Sequence, residues 1–193
     1  MVDLGAAMAL TRLDRRLTAE DLDDLPHEWD TRYELIRGVL FMSRKPSFDH
    51  QMIITRLLMS LGLPVLEMDA VVVPEPGVVW ETDGEDNVAP DLAVVFGPKP
   101  PKRSKLRRCP DICVEVLSPG AENRKRDLEA KRELYWRRGA KEYWIVDPEN
   151  ECVLRLTRGK RAWREVRLSP RALLSTPLVR RWRGIRVAKL FEE

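Results

Sequence analysis

VAPDLAVVF (Val88 to Phe96) and DICVEVLSPG (Asp111 to Gly120) decide how this chain reads. Each holds a short run of Val, Ile, Leu or Phe flanked by Pro or Gly, the pattern of a strand buried on both faces. Each also carries one carboxylate among the apolar residues, Asp91 in the first and Glu115 in the second. Charged side chains are seldom buried without a partner, because a lone desolvated carboxylate is costly or takes up a proton. Two such acids on neighbouring strands predict a cation between them.

The next segment offers one. Ser118-Pro119-Gly120 breaks the second strand, and AENRKRDLEAKRELYWRRGA (121–140) reads as a helix rich in Ala, Leu, Glu, Lys and Arg, closed by Gly139. Asp127, Lys131 and Tyr135 recur every four residues and so share one helix face. Lys131 can converge there with Asp91 and Glu115, or pair with Asp127 on the helix surface; the spacing allows both.

Working outward, residues 1–16 show no pattern and are expected to form a loose arm. Thr18 and Asp21 have capping-box spacing for a short helix ended by Pro26. TRYELIRGVLFMS (31–43) predicts two strands about Arg37-Gly38, with Glu34 in the first, where an exposed glutamate is the ordinary case. Ser47 or Asp49 can cap the helix HQMIITRLLMSLG (50–62), whose Ile53, Ile54, Leu57, Leu58 and Leu61 form a wide apolar face. His50 lies in its first turn, and spacing alone assigns it no role. Strands are predicted over 66–73 and 77–82, joined by a Pro74-Glu75-Pro76-Gly77 turn.

Downstream, KEYWIVDP (141–148) is another buried-type strand, and ECVLRL and RAWREVRL flank Arg158-Gly159-Lys160 as an antiparallel pair. The tail from Leu174 reads as an edge element packed on that pair. The whole predicts an α/β fold, a mixed sheet flanked by helices with a β-rich C-terminal extension, in a single domain over 1–193.

Composition sets outer limits. With 193 residues, 44% hydrophobic and 34% charged, the chain can bury one substantial core. A net charge of +3 does not mark a nucleic-acid binder; local clusters at Lys99 to Arg108, at Arg124 to Arg126 and in the last quarter point to phosphates or to solvated loops. Trp136, Trp144, Trp163 and Trp182 suit base stacking or core packing equally. Three cysteines without paired spacing give neither a disulfide framework nor a zinc site, and are expected to be reduced. There is no basic leader and no apolar run near the roughly 18 residues of a membrane span, so a soluble, cytoplasmic protein is expected. Glycine-rich phosphate loops and the GxSxG elbow are absent.

Two carboxylates with a nearby lysine suit phosphodiester hydrolysis. A Mg²⁺ ion held by one or two carboxylates can activate water and neutralise charge on the transition state, while a lysine stabilises developing negative charge. Asp91 and Glu115 are the candidate metal ligands, aided by the carbonyl of the residue after Glu115, and Lys131 is the candidate cation.

The chain resembles the Uma2-type (DUF820) restriction-endonuclease family of the PD-(D/E)XK nuclease superfamily. The resemblance runs from about Thr18 to Phe191 through YELIRG, SFDHQ, APDLAVVF, VEVLSP and RDLEAKRELYWRRGAKEYWIVDP, in that order. It implies a restriction-endonuclease-like fold and a Mg²⁺-dependent DNA endonuclease, with Mn²⁺ as a substitute, DNA as partner, no membrane association and a homodimer within reach. Pro90-Asp91 matches the PD element, and Glu115 the acid of the second element. Leu117 stands where that element's lysine would be, so the catalytic cation is assigned to Lys131 on the following helix. Glu34 matches an accessory acid; His50 and Tyr135 match motif positions without assigned roles. Where the family commonly reads ELIDGE, this chain has Arg37 and Val39. That change leaves room for an alternative, a nuclease-like scaffold without activity that binds DNA or protein.

Overall fold

The computed structural model describes residues 16–26, 29–80 and 84–192. The expected N-terminal arm, Arg16 apart, therefore lies outside the described residues, as does the end of the strand expected over 77–82. The chain divides into two compact units, each drawn from three stretches: 1–45, 77–89 and 100–108 in the smaller, and 46–76, 90–99 and 109–193 in the larger.

In the smaller unit, strands β1 (Thr31–Ile36) and β2 (Val39–Arg44) pair antiparallel, as the sequence predicts. Arg37 (φ 55°) and Gly38 (φ 71°) form the two-residue turn, whose backbone twist needs positive φ at both positions. Gly38 is also closely approached: a Cβ there would lie 2.5 Å from that of Arg16. The Thr18 capping box forms, with Asp21 Oδ2 accepting from the Thr18 backbone N–H at 2.7 Å, over a single 3-10 turn, Ala19–Leu22.

The larger unit begins with helix α1 (Phe48–Leu66), which Ser47 caps by accepting the His50 backbone N–H. It runs one turn past the expected stop, through Gly62 and Pro64. Buried Leu61 and Val65 explain this, since packing of an apolar face outweighs the weak propensities of Gly and Pro. The strand expected from residue 66 accordingly starts later, as β3 (Ala70–Pro74). The Pro74–Gly77 turn does not close a hairpin. β3 pairs with β6 (Leu92–Phe96), whereas β4 (Val78–Val79) pairs with β5 (Asn87–Val88) in the four-stranded sheet β2-β1-β5-β4 of the smaller unit.

After β6 come β7 (Ile112–Val116), helix α2 (Ala121–Lys125), a π-turn (Arg126–Ala130), helix α3 (Lys131–Arg138) and β8 (Glu142–Asp147). β9 (Cys152–Arg158) and β10 (Trp163–Leu168) complete a six-stranded sheet in the order β10-β9-β8-β7-β6-β3. Only β7 and β8 run parallel, bridged by the helix, so the sheet is mixed as expected. Gly139 ends α3 at φ 98°, and the Ala140 N–H returns to the Tyr135 carbonyl.

Alternation along the strands splits their side chains between two layers. Val114, Val116, Trp144 and Val146 face a core that they share with Ile53, Ile54, Leu57 and Leu61 of α1. Glu115, between two of those valines, faces the helical crossover. The C-terminal tail is not an edge piece. Strands β11 (Leu173–Leu174) and β12 (Ile185–Arg186) and a final 3-10 turn deliver Leu174, Val179, Trp182, Val187 and Leu190 into the same core. Trp182 stacks on Trp144 at 5.7 Å and donates its indole N–H to Ser60 Oγ. Trp136 and Trp163 pack edge to face at 5.2 Å, so all four tryptophans are engaged in packing.

Candidate active site

Glu115 reaches its position because β7 is buried on both faces: its neighbours Val114 and Val116 fill the core, and pleating turns its carboxylate to the crossover helix. There it is 1% exposed. Oε1 accepts from Lys131 Nζ at 2.9 Å and from Tyr135 Oη at 2.8 Å. Asp127 Oδ1 stands 3.9 Å from the same ammonium. The expected face of Asp127, Lys131 and Tyr135 is therefore real, and it points inward. Lys131, 1% exposed, pairs chiefly with the strand acid and only secondarily with its helix neighbour.

The helix is deformed where it meets this cluster. Over Arg126–Ala130 the bonding widens to π geometry, and the Lys131 N–H bonds the Arg126 carbonyl. Such turns are frequent at functional sites because they re-aim side chains without ending the helix. Here the widened turn carries Asp127 and leads directly into Lys131. Tyr143 of β8 donates to the Asp127 carbonyl at 2.9 Å and meets Tyr135 edge-on at 5.0 Å, fixing the turn from below.

Asp91 lies one residue ahead of β6, in the bend after Pro90, and not inside the strand as the sequence suggested. Its Oδ2 accepts the Val116 N–H at 2.8 Å. The two acids are thus anchored at adjacent positions of β7, one through the Glu115 side chain and the other through the Val116 backbone. Asp91 is near enough for its charge to act on Asp127 and Tyr143. Burial pushes the Asp127 carboxyl above its usual range, with the Asp91 charge adding to the rise, although Lys131 and Arg126 pull it down. Tyr143 is pushed well above the usual phenol range by burial and by the Glu115, Asp127 and Asp91 charges.

His50 takes a part that spacing could not reveal. Its Nε2 lies 3.2 Å from Asp91 Oδ2 and 3.1 Å from the Val116 carbonyl oxygen, while its Nδ1 is buried without a hydrogen-bond partner. The tautomer with the proton on Nε2 donates to both oxygens. Only the tertiary structure brings the first turn of α1 to the end of β7; the sequence signal was confined to a motif match.

Glu34 belongs to the smaller unit. It is buried, contrary to the ordinary expectation for a strand glutamate, and its Oε1 accepts the Ala89 N–H at 2.9 Å. The Arg32 guanidinium bonds the Ala89 carbonyl, so both groups of that peptide are held by β1.

The basic clusters separate. In 99–108, Lys99, Lys102, Arg103, Lys105 and Arg107 are exposed. The 124–126 cluster is largely committed elsewhere, which corrects the expectation that it faces phosphates. Arg126 is buried against Asp127 at 2.9 Å, and Arg124 bonds Asp147 at 2.8 Å and Glu149 at 3.1 Å. All three cysteines are free, with Cys113 and Cys152 buried. Among the described residues, no helix is long and apolar enough to cross a membrane.

The oxygen donors anchored at this end of β7 are the Asp91 and Glu115 carboxylates and the Val116 carbonyl, the hard donors a divalent ion such as Mg²⁺ prefers. Asp91 Oδ2 and Val116 O both lie within 3.2 Å of one ring nitrogen, His50 Nε2. Among the described residues no group of three or more His, Cys, Asp or Glu side chains is placed to hold a metal ion. Mg²⁺ suits such a sparse set, because it binds through one or two carboxylates and keeps several waters.

A mixed sheet crossed by one helix, with an acid before one central strand and another within the next, defines a restriction-endonuclease-like α/β fold. The chain belongs to the Uma2 family, described as "Putative restriction endonuclease", whose pattern matches residues 19–188. The fold is similar to the crystal structure of "a putative nuclease belonging to DUF820" from Anabaena variabilis ATCC 29413, with a TM-score of 0.72 at 18% identity over 91% of this chain and 97% of that one. No curated protein matches the sequence.

Proposed function

We propose that the protein is a Mg²⁺-dependent DNA endonuclease, with Mn²⁺ able to substitute, that hydrolyses phosphodiester bonds. The observation that carries this is the buried cluster at the end of β7, where Glu115 bonds Lys131 while Asp91 is fixed to the next residue. Asp91 and Glu115 would hold the ion, helped by the Val116 carbonyl. Bound there, Mg²⁺ supplies charge neutralisation and a more acidic water. Lys131 contributes a compact positive charge to developing negative charge in a site with little water. Tyr135 orients the Glu115 carboxylate, and His50 orients Asp91. Glu34 is proposed as an accessory acid on the strength of the family pattern. The exposed lysines and arginines of 99–108 would hold the DNA backbone.

The test is nicking of supercoiled plasmid in Mg²⁺ or Mn²⁺. Asp91→Asn and Glu115→Gln should each reduce it by at least about a thousandfold, the scale of losing transition-state electrostatics, with unfolding midpoints recorded in parallel. Undiminished cleavage by both variants would rule the proposal out. One observation favours a second reading, a scaffold without activity: the Glu115 carboxylate is almost wholly buried and already satisfied by an ammonium and a phenol. Calorimetric titration with Mn²⁺ separates the two, since a scaffold would show no heat that Asp91→Asn removes.

A further inference from the structure

Helix α1 buries one face in the core and leaves another uncovered. Phe48, Met59, Leu63 and Leu66 are exposed at 79%, 75%, 75% and 67%, and Met52 is half-buried beside them. Residues 48, 52, 55, 59, 62 and 66 are spaced four, three, four, three and four apart, the repeat of a seam between two packed helices. No charged residue interrupts it. Arg56, on its flank, turns its guanidinium to the Leu190 carbonyl at 2.9 Å.

We propose that this seam is the contact between two copies of the chain, with the two α1 helices antiparallel across a two-fold axis. Three observations single out a second copy as the occupant. First, the seam is symmetric about position 57. Antiparallel pairing sets Phe48 against the partner's Leu66, an apolar pair at each end, and Met52 against the partner's Gly62 and Thr55 against the partner's Met59, where a large residue meets a smaller one. Gly62 is open, with nothing within 4 Å of where its Cβ would be, which lets a facing helix approach closely. Second, a cleft of about 500 Å³ opens beside Phe48 and Met52, with Pro148, Leu190 and Phe191 as apolar walls and Asp49, Arg56, Glu151 and Glu192 also lining it. The same pairing brings the partner's Leu63 and Leu66 to it. Third, the five apolar side chains expose on the order of 600 Å² in a continuous strip, against the roughly 800 Å² per partner of a stable interface, and the cleft rim contributes further area. An isologous contact repeats every one of these pairings twice.

The contact is independent of the nuclease reading. Sedimentation and light scattering on the full chain should give twice the 22.4 kDa protomer mass. Met59→Glu with Leu63→Glu, both at exposed positions, should weaken the dimer at least about a hundredfold by placing like charges across a buried seam, with an unchanged circular dichroism spectrum. Phe48→Cys with Leu66→Cys, in a Cys109→Ser background, should be joined into a covalent dimer by a short bismaleimide. A monomeric wild type, or a dimer that resists both glutamates and is not cross-linked, overturns the proposal. So does a monomer whose seam instead binds phosphatidylcholine vesicles.

Discussion

At the scale of single residues, the cluster on β7 is held by charge pairing in a nearly dry setting, which makes it sensitive to removal of one partner. Lys131→Met takes away the ammonium that faces the buried Glu115 carboxylate and should cost about 3 kcal/mol in urea denaturation. Adding Glu115→Leu should recover most of that loss, because the pair's stabilisation is offset by the cost of desolvating both charges. Asp147 gives a pH signature of opposite origin. Burial pushes its carboxyl up, but hydrogen bonds from Arg124 and Asn150 outweigh burial and hold it below the usual range. A carboxyl lowered in the folded state stabilises the protein above its unfolded pKa, and that stability is lost as pH falls through the folded value. Asp147→Asn should therefore lower the melting temperature at neutral pH and have a smaller effect at about pH 3, below the unfolded Asp value. Asp91, Glu115 and Lys131 were legible as residues because acids in apolar runs and a four-residue repeat leave marks in the sequence. His50 was not, since its partners come from a different strand and a loop.

At the scale of elements, the helix between β7 and β8 shows where local rules suffice and where they fail. Its start after a Pro-Gly break and its stop at Gly139 follow from local chemistry. Gly139→Ala should cost about 1–2 kcal/mol, because φ 98° is unfavourable for a residue with a Cβ while the surrounding space is open. A thermal melt will read it. The π-turn was not legible, because a single widened turn leaves no residue pattern that sets it apart from the helix on either side. Likewise α1 runs beyond Gly62 since the core rewards Leu61 and Val65, a gain that propensity does not register. The Pro-Gly stretch at 74–77 was identified correctly as a turn but assigned the wrong connection: a turn signal gives the bend and not the strands it joins.

At the scale of the whole molecule, the distribution of positive charge carries the prediction. If the exposed loop 99–108 contacts DNA, Lys102→Ala, Arg103→Ala and Lys105→Ala together should reduce the slope of log binding constant against log salt by about 3, near one ion per contact. Arg124→Ala should leave that slope unchanged and instead lower stability, because its guanidinium bonds Asp147 and Glu149. Fluorescence anisotropy across a salt series distinguishes the two. The sequence by itself determined the mixed α/β class, the hairpins at 37–38 and 159–160, the core face of α1, and the acids and lysine of the candidate site, all through periodicity and local backbone preference. Only the tertiary structure decided that the C-terminal tail fills the core, that Arg124 pairs with Asp147, and that His50 joins Asp91. Those outcomes depend on contacts between residues distant in the chain, whose free energy no local window of sequence contains.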